Sequence, residues 1–129
     1  MPVTIAQVEE LATSLPEVTA GQRFSNRTWF VGKKGFVWER PLSKADVKRW
    51  DDGPLPEGDI IALLVEDLAE KEAVLQMGRK GFFTMQHFNG YPAVLIELRK
   101  ATKKDVRDAI EDAWLAAAPK KVAQQYLAR

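Results

Sequence analysis

The 129-residue sequence contains no cysteine and a single histidine. Without thiols the chain forms neither disulfide bonds nor thiolate zinc sites, so its stability must come from side-chain packing. This composition suits a reducing compartment, and we predict a cytoplasmic protein. No run of about 18 apolar residues is present, and the N-terminus lacks a basic stretch followed by an apolar one. Neither export nor a membrane-spanning helix is therefore expected.

The scarcity of histidine narrows the enzyme classes that the sequence supports. A Ser-His-acid triad would need Ser14, Ser25 or Ser43 beside His87, yet none of these serines lies in a Gly-x-Ser-x-Gly turn. Metal ligands would have to be mostly carboxylates, and the acidic segment 51–59 lacks the spacing of a calcium loop. No P-loop or dinucleotide motif is present. We therefore predict a protein without catalytic activity, metal or cofactor.

The composition is otherwise that of a folded protein. Hydrophobic residues make up 46% and charged residues 29% of the chain, and its length suits one domain spanning 1–129. The net charge of +1 favours no class of partner. Positive charge is nevertheless concentrated at 33–50 and 98–129, and negative charge at 51–72. A polarised surface is therefore expected.

Five helices are predicted from start signals and from apolar residues at helical spacing. The predicted start signals are Thr4, Ser43, Asp67, Thr102 and Pro119. The helix after Thr102 carries the clearest apolar stripe, which consists of Val106, Ala109, Ile110, Ala113, Trp114 and Ala117. This helix should pack against the core.

Five strands are predicted at 27–31, 36–38, 60–65, 82–85 and 93–98. The first two flank a glycine-containing hairpin turn, and the last two flank an Asn-Gly turn. The segments 17–26 and 51–59 are predicted to be loops. The element order is α-β-β-α-β-α-β-β-α-α. Because hairpins join antiparallel strands, this order predicts a single α+β domain with a mainly antiparallel five-stranded sheet and helices packed against it.

Two glycine-flanked basic pairs form the first candidate site. Lys33-Lys34 and Arg79-Lys80 lie where small residues let a backbone approach a phosphate closely, and Lys120-Lys121 could add to them. Such pairs would form a nucleic-acid surface only if folding brings them together. Lysines also occupy solvent-exposed turns without binding anything, so the pairs are open to that simpler interpretation as well.

The turn that contains His87, Phe88 and Tyr91 is the second candidate site. His87 could be a polar anchor in a pocket with aromatic walls, or a turn residue bonded to a backbone carbonyl. Aromatic residues elsewhere are core candidates. However, Trp29 and Phe30 are neighbours in a strand and must point to opposite faces of the sheet. One of them therefore faces away from the helices, where it could contact a base, a ligand or a second copy of the chain.

Four parts of the sequence carry a resemblance to a known family. They are LPEV at 15–18, WFVGKKGFVW at 29–38, FFT at 82–84 with HFNGYPAVL at 87–95, and AWLAAAPKK at 113–121. In content and order they resemble the MmcQ/YjbR family over nearly the whole chain, and the tail is similar to that of the longer actinobacterial-type members. Many shorter members have a tryptophan-rich strand followed by Ser-Tyr near the C-terminus, where this chain has Ala113-Trp114-Leu115.

This resemblance implies a compact α+β domain that is labelled as DNA-binding and has no assigned activity or catalytic residues. Our first hypothesis is therefore a non-enzymatic protein that contacts DNA phosphates through Lys33, Lys34, Arg79, Lys80, Lys120 and Lys121. The alternative is a module that binds a small ligand or a protein partner at His87, Phe88 and Tyr91. A third possibility is a homodimer formed through an exposed aromatic strand, in place of a monomer.

Overall fold

The chain folds around one open antiparallel sheet in the computed structural model, which describes residues 2–50 and 53–129. The six strands of the described residues are β1 (Val18–Arg23), β2 (Asn26–Val31), β3 (Lys34–Glu39), β4 (Ile60–Leu64), β5 (Phe82–Phe83) and β6 (Ala93–Glu97). Their order across the sheet is β1-β2-β3-β4-β6-β5, and every neighbouring pair is antiparallel. The predicted α+β class and the mainly antiparallel sheet are confirmed.

The predicted count of five strands is wrong, because segment 17–26 contains β1 where a loop was expected. All side chains of β1 after Val18 are exposed, so no apolar pattern marks this strand in the sequence. Its six residues pair with the six residues of β2. Backbone hydrogen bonds to a neighbouring strand therefore form this strand, and burial of its side chains contributes little. In the other predicted loop, Asp51 and Asp52 lie outside the described residues.

The five α-helices of the described residues are α1 (Ile5–Thr13), α2 (Lys44–Lys48), α3 (Leu68–Gln76), α4 (Lys103–Ala117) and α5 (Lys120–Ala128). Four begin as predicted, since the side chains of Thr4, Ser43, Asp67 and Thr102 each accept a hydrogen bond from a backbone N–H of the first turn. Within these described ranges, no helix combines the length and the apolar composition needed to cross a bilayer.

The helices α1 and α4 cover one face of the sheet and form the larger core with its strands, and partly buried side chains of α5 pack against this core. Trp29 from β2 and Trp114 from α4 are both fully buried there. The indole N–H of Trp114 donates to the Pro16 carbonyl at 3.0 Å, which ties the end of α4 to the start of β1. Trp29 points towards these helices and Phe30 towards the opposite face, as strand alternation predicts.

A smaller core covers only half of the opposite face. Ile60, Ala62 and Leu95 of the central strands are buried beneath Met85 and Phe88. Partly buried side chains from the segment after β3 pack against the same cluster; they are Leu42 and Trp50. On the part of this face formed by β1, β2 and β3, the short helix α2 is the only described α-helix that borders the sheet, and this incomplete cover leaves a groove.

Candidate functional site

A groove with a volume of about 800 Å³ opens on the sheet face opposite the large core. Small-molecule sites commonly have volumes of about 300–1,000 Å³. Thr28, Gly35 and Trp38 of the neighbouring strands β2 and β3 contribute the sheet side of the groove. The remaining lining residues come from the β1–β2 turn, from segment 40–49 and from the segment between β5 and β6. Four separate parts of the chain therefore converge on one concave surface.

Gly35 leaves space on the sheet side of the groove, because it has no side chain. A Cβ atom added at Gly35 would lie 2.8 Å from Thr28 Cγ2, so any larger residue would push this floor outward. The ring of Phe30 lies between Gly35 and Gly21, and a Cβ at Gly21 would be 3.1 Å from it. An aromatic ring lying across glycines of the two adjacent strands is a recognised way to stabilise such a sheet.

The three residues of the predicted pocket, His87, Phe88 and Tyr91, all line this groove. A short 3₁₀ turn over Gln86–Phe88 carries the first two. The ring centroids of Phe88 and Tyr91 are 6.1 Å apart with an edge-to-face arrangement. Phe88 is buried, whereas His87 and Tyr91 are exposed to the groove and the solvent. Phe88 thus anchors this wall and the other two offer contact surface.

Lys71 of α3 holds this aromatic segment in place. Its ammonium donates to the Phe88 carbonyl at 2.5 Å and to the Tyr91 carbonyl at 2.9 Å. The side chain is buried, and desolvation lowers the pKa of Lys71 below the usual lysine value. The sequence does not single out Lys71, because an isolated lysine inside a helix gives no sign that it will be buried.

The ion pair between Arg40 and Asp46 supports the wall formed by segment 40–49. The guanidinium of Arg40 lies 3.0 Å from Asp46 Oδ2, which also accepts the Ser43 backbone N–H at 2.9 Å. Burial alone would raise the pKa of Asp46, but the Ser43 hydrogen bonds and the Arg40 charge outweigh burial and hold that pKa below its usual value. Arg40 also lies 5.6 Å from the Phe88 ring centroid. Its charge is therefore neutralised within the wall.

Two further arginines, Arg23 and Arg49, line the groove and are exposed. Among the described residues, neither has a carboxylate oxygen within salt-bridge distance. Asp46 is the only acidic residue in the described lining, and it is already paired with Arg40. The described lining of the groove therefore carries an excess of positive charge. Arg49 lies in the basic stretch 33–50 that the sequence shows, whereas Arg23 had no such signal.

Phe24 lies at the β1–β2 turn and lines one end of the groove. Its side chain is 90% exposed, which is unusual for a large aromatic residue. Both turn residues, Phe24 and Ser25, have positive φ angles, 53° and 66° respectively. Residues other than glycine, asparagine and aspartate seldom adopt such angles. The ring of Phe24 is therefore free of packing contacts over most of its surface and borders the cavity.

The basic turns predicted to bind phosphates do not meet. The Lys33-Lys34 pair lies at the end of β3 where Lys34 pairs with Val31 of β2. Phe82 of β5 is aligned across the sheet with Ile96 of β6, Ile61 of β4 and Glu39 of β3. Glu39 is at the other end of β3. Arg79-Lys80, just before Phe82, is therefore at the opposite end of the sheet. The condition for a nucleic-acid surface shared by the two pairs is therefore not met, because three antiparallel steps separate β3 from β5.

Arg79 also has neighbours that reduce its availability for phosphate. Its guanidinium lies 4.3 Å from the Phe82 ring centroid, and it lines a cavity of about 240 Å³ together with Glu70 and Asp112. Lys120 and Lys121 are exposed at the start of α5. They follow the end of α4 that Trp114 joins to Pro16, so they lie at the same end of the sheet as Lys33-Lys34.

The fold and the groove define an α+β protein with a cationic, aromatic-lined cavity on an uncovered sheet face. The chain is 42% identical over 103 residues to Uncharacterized protein Mb2600 of Mycobacterium bovis. The aligned segment covers 78% of this chain and 79% of that protein. Identity and coverage are the same for Uncharacterized protein Rv2570 of Mycobacterium tuberculosis. The chain belongs to the family of these mycobacterial proteins. No family model matches it.

Proposed function

We propose that the protein is a non-enzymatic binding module that takes a small ligand in the groove. The observation that carries this proposal is the convergence of the three predicted pocket residues on a cavity of ligand size, about 800 Å³. The lining also combines aromatic and apolar side chains with polar and charged ones that could orient a ligand.

The walls of the groove are held before any ligand arrives. Lys71 fixes the carbonyls of Phe88 and Tyr91, and the Arg40–Asp46 pair fixes segment 40–49. A site whose walls are already ordered loses less conformational entropy on binding than a site that must form around its ligand. This rigidity supports a binding role for the surface.

The test uses two probes of nearly equal shape, 2-naphthoate and its neutral amide, 2-naphthamide, in calorimetric titrations. We expect at least one of them to bind with one site per chain. Ala45, exposed on α2, lines the groove, and Ala45→Phe should fill the space and weaken binding by roughly tenfold or more. The matched control is Ala69→Phe on α3, where the alanine is exposed outside the groove lining.

The proposal is overturned if neither probe binds to the wild-type protein. It is equally overturned if Ala45→Phe and Ala69→Phe bind both probes as the wild type does, since the probes would then occupy another surface. Circular dichroism of the two variants separates a blocked groove from an unfolded chain.

DNA binding is a second candidate, restricted to the basic end formed by Lys33, Lys34, Lys120 and Lys121. The exposure of these four lysines at one end of the sheet favours it, as does the resemblance to the MmcQ/YjbR family. Four phosphate contacts would give a log-log slope of duplex DNA affinity against salt of roughly −3 to −4. Alanine at Lys33 and Lys34 should halve that slope, while alanine at Arg79 and Lys80 should leave it unchanged.

A flat salt response, or no binding of duplex DNA at low salt, would rule out the second candidate. An equal effect of the Arg79 and Lys80 substitutions would also count against it, because those residues lie at the other end of the sheet. Fluorescence anisotropy of a labelled duplex measures both the slope and the effect of each variant.

A further inference from the structure

We infer that the ligand of the groove is a small planar aromatic anion, such as an aromatic carboxylate. This inference rests on the proposed function and adds the chemical class of the ligand. It follows from the combination of unneutralised guanidinium groups and aromatic rings in one lining.

The described groove lining contains more positive than negative side chains. Arg40 and Asp46 neutralise each other within the wall, which leaves Arg23 and Arg49 as the unneutralised charges of the described lining. The guanidinium group is a planar fork of N–H donors that matches the two oxygens of a carboxylate. Cations in a concave site with low-dielectric walls attract anions more strongly than the same cations on a flat surface.

Aromatic side chains contribute much of the contact surface in the groove. Trp38 lies on the sheet side of the groove, Tyr91 on one wall and Phe24 at the turn. Tyr91 is 48% exposed and Phe24 is 90% exposed, so both rings have faces or edges free to contact a ligand. Aromatic rings pack favourably edge-to-face or offset against another flat ring. A flat ligand therefore fits the lining better than a flexible aliphatic chain of the same volume.

The experiment compares 2-naphthoate with 2-naphthamide on the same protein by calorimetry at low salt. The two probes share the naphthalene ring and differ in charge. We expect 2-naphthoate to bind at least about tenfold more tightly than the amide, and this preference to shrink as salt is added. Arg49→Gln and Arg23→Gln should each weaken binding of the anion and leave binding of the amide unchanged.

Arg107→Gln is the control, because Arg107 is an exposed arginine of α4 and lies outside the groove lining. Equal affinity for the two probes would overturn this inference and leave the proposed function standing, whereas failure of both probes would remove the proposed function itself. The inference would also be overturned if a short single-stranded DNA displaced bound 2-naphthoate at a lower concentration than 2-naphthamide needs to displace it. The groove would then favour a polymer.

Discussion

Phe24 and Ser25 combine an unfavourable backbone conformation with an unusual exposure. Two-residue hairpin turns with positive φ at both central positions strongly favour Asn-Gly. A residue other than glycine held in this region costs on the order of 1–3 kcal/mol. The chain nevertheless has phenylalanine at this turn, with its ring almost wholly in solvent beside the groove. Residues with such an unfavourable backbone conformation are retained most readily where the side chain has a function.

The double substitution Phe24→Asn with Ser25→Gly tests this idea. We expect the free energy of unfolding to rise by about 1 kcal/mol, because the new turn residues suit the observed φ angles. Binding of 2-naphthoate should weaken roughly fivefold through the loss of about 1 kcal/mol of aromatic contact. Urea denaturation and calorimetry measure the two quantities.

Ser25→Gly alone is the matched control, since it relieves strain and keeps the aromatic ring. It should stabilise the fold and leave the affinity for 2-naphthoate unchanged. If the double variant binds as tightly as the wild type, Phe24 does not contact the ligand.

Single residues of the groove differ in how far the sequence predicts them. His87, Phe88 and Tyr91 share a turn with an Asn-Gly pair and attract notice as neighbours. Lys71 is 17 residues before Phe88, and only the packing of α3 against the turn brings its ammonium to the two carbonyls. Local patterns identify residues that lie close in the chain, whereas a contact made by packing depends on the whole fold.

The short helix α2 supports one wall of the groove through its first turn. Ser43 and Asp46 form a capping box, and Asp46 also pairs with Arg40. Since the folded-state pKa of Asp46 is lower than its ordinary value of 3.8, the native protein releases this proton more readily than the unfolded chain does. The resulting stabilisation is fully present above pH 3.8 and is lost as the pH falls through the lowered folded-state pKa.

Asp46→Asn should therefore destabilise the protein in a pH-dependent way. At pH 7 we expect a loss of about 1.5–3 kcal/mol, because charge-assisted hydrogen bonds are removed and Arg40 loses its partner. The difference in unfolding free energy between the wild type and the variant should become smaller as the pH falls below 3.8, the ordinary pKa of aspartate. Chemical denaturation at a series of pH values measures it.

Asp108→Asn provides the comparison. Asp108 pairs with Lys104 at 2.8 Å on an exposed face of α4, and its side chain is 42% exposed. Pairs of this kind contribute roughly 0.3–0.5 kcal/mol. If the unfolding free energies of Asp46→Asn and wild type stay parallel at all pH values, the Arg40–Asp46 pair contributes no charge-dependent stability.

Helix starts and most strands could be predicted because their causes are local. The side chains of Thr4, Ser43, Asp67 and Thr102 each bond to the helix that follows them. In contrast, β1 exposes nearly all of its side chains and is formed by pairing with β2. Its unexpected presence matters, because its last residue, Arg23, and the turn after it complete the groove.

The arrangement of the six strands decides which charges act together. The antiparallel sheet and the opposite directions of Trp29 and Phe30 could be predicted from the sequence, since both follow from alternation and hairpin connections. The position of Lys33-Lys34 relative to Arg79-Lys80 could not be predicted, because it depends on β6 pairing with β4 and on β5 lying beyond β6. The basic pairs consequently lie at opposite ends, while His87, Phe88 and Tyr91 border one cavity.

The two borders of the sheet are unequal in length. On one side, β1 presents six residues whose outer backbone groups face away from β2, while β5 on the other side has only two residues. A strand border of useful length can pair with the same border of a second copy. After such pairing, each molecule has only the two-residue strand β5 at its free border. This strand is too short to pair stably with a third molecule. Border-to-border association of this protein would therefore stop at a pair and would not grow into a fibre.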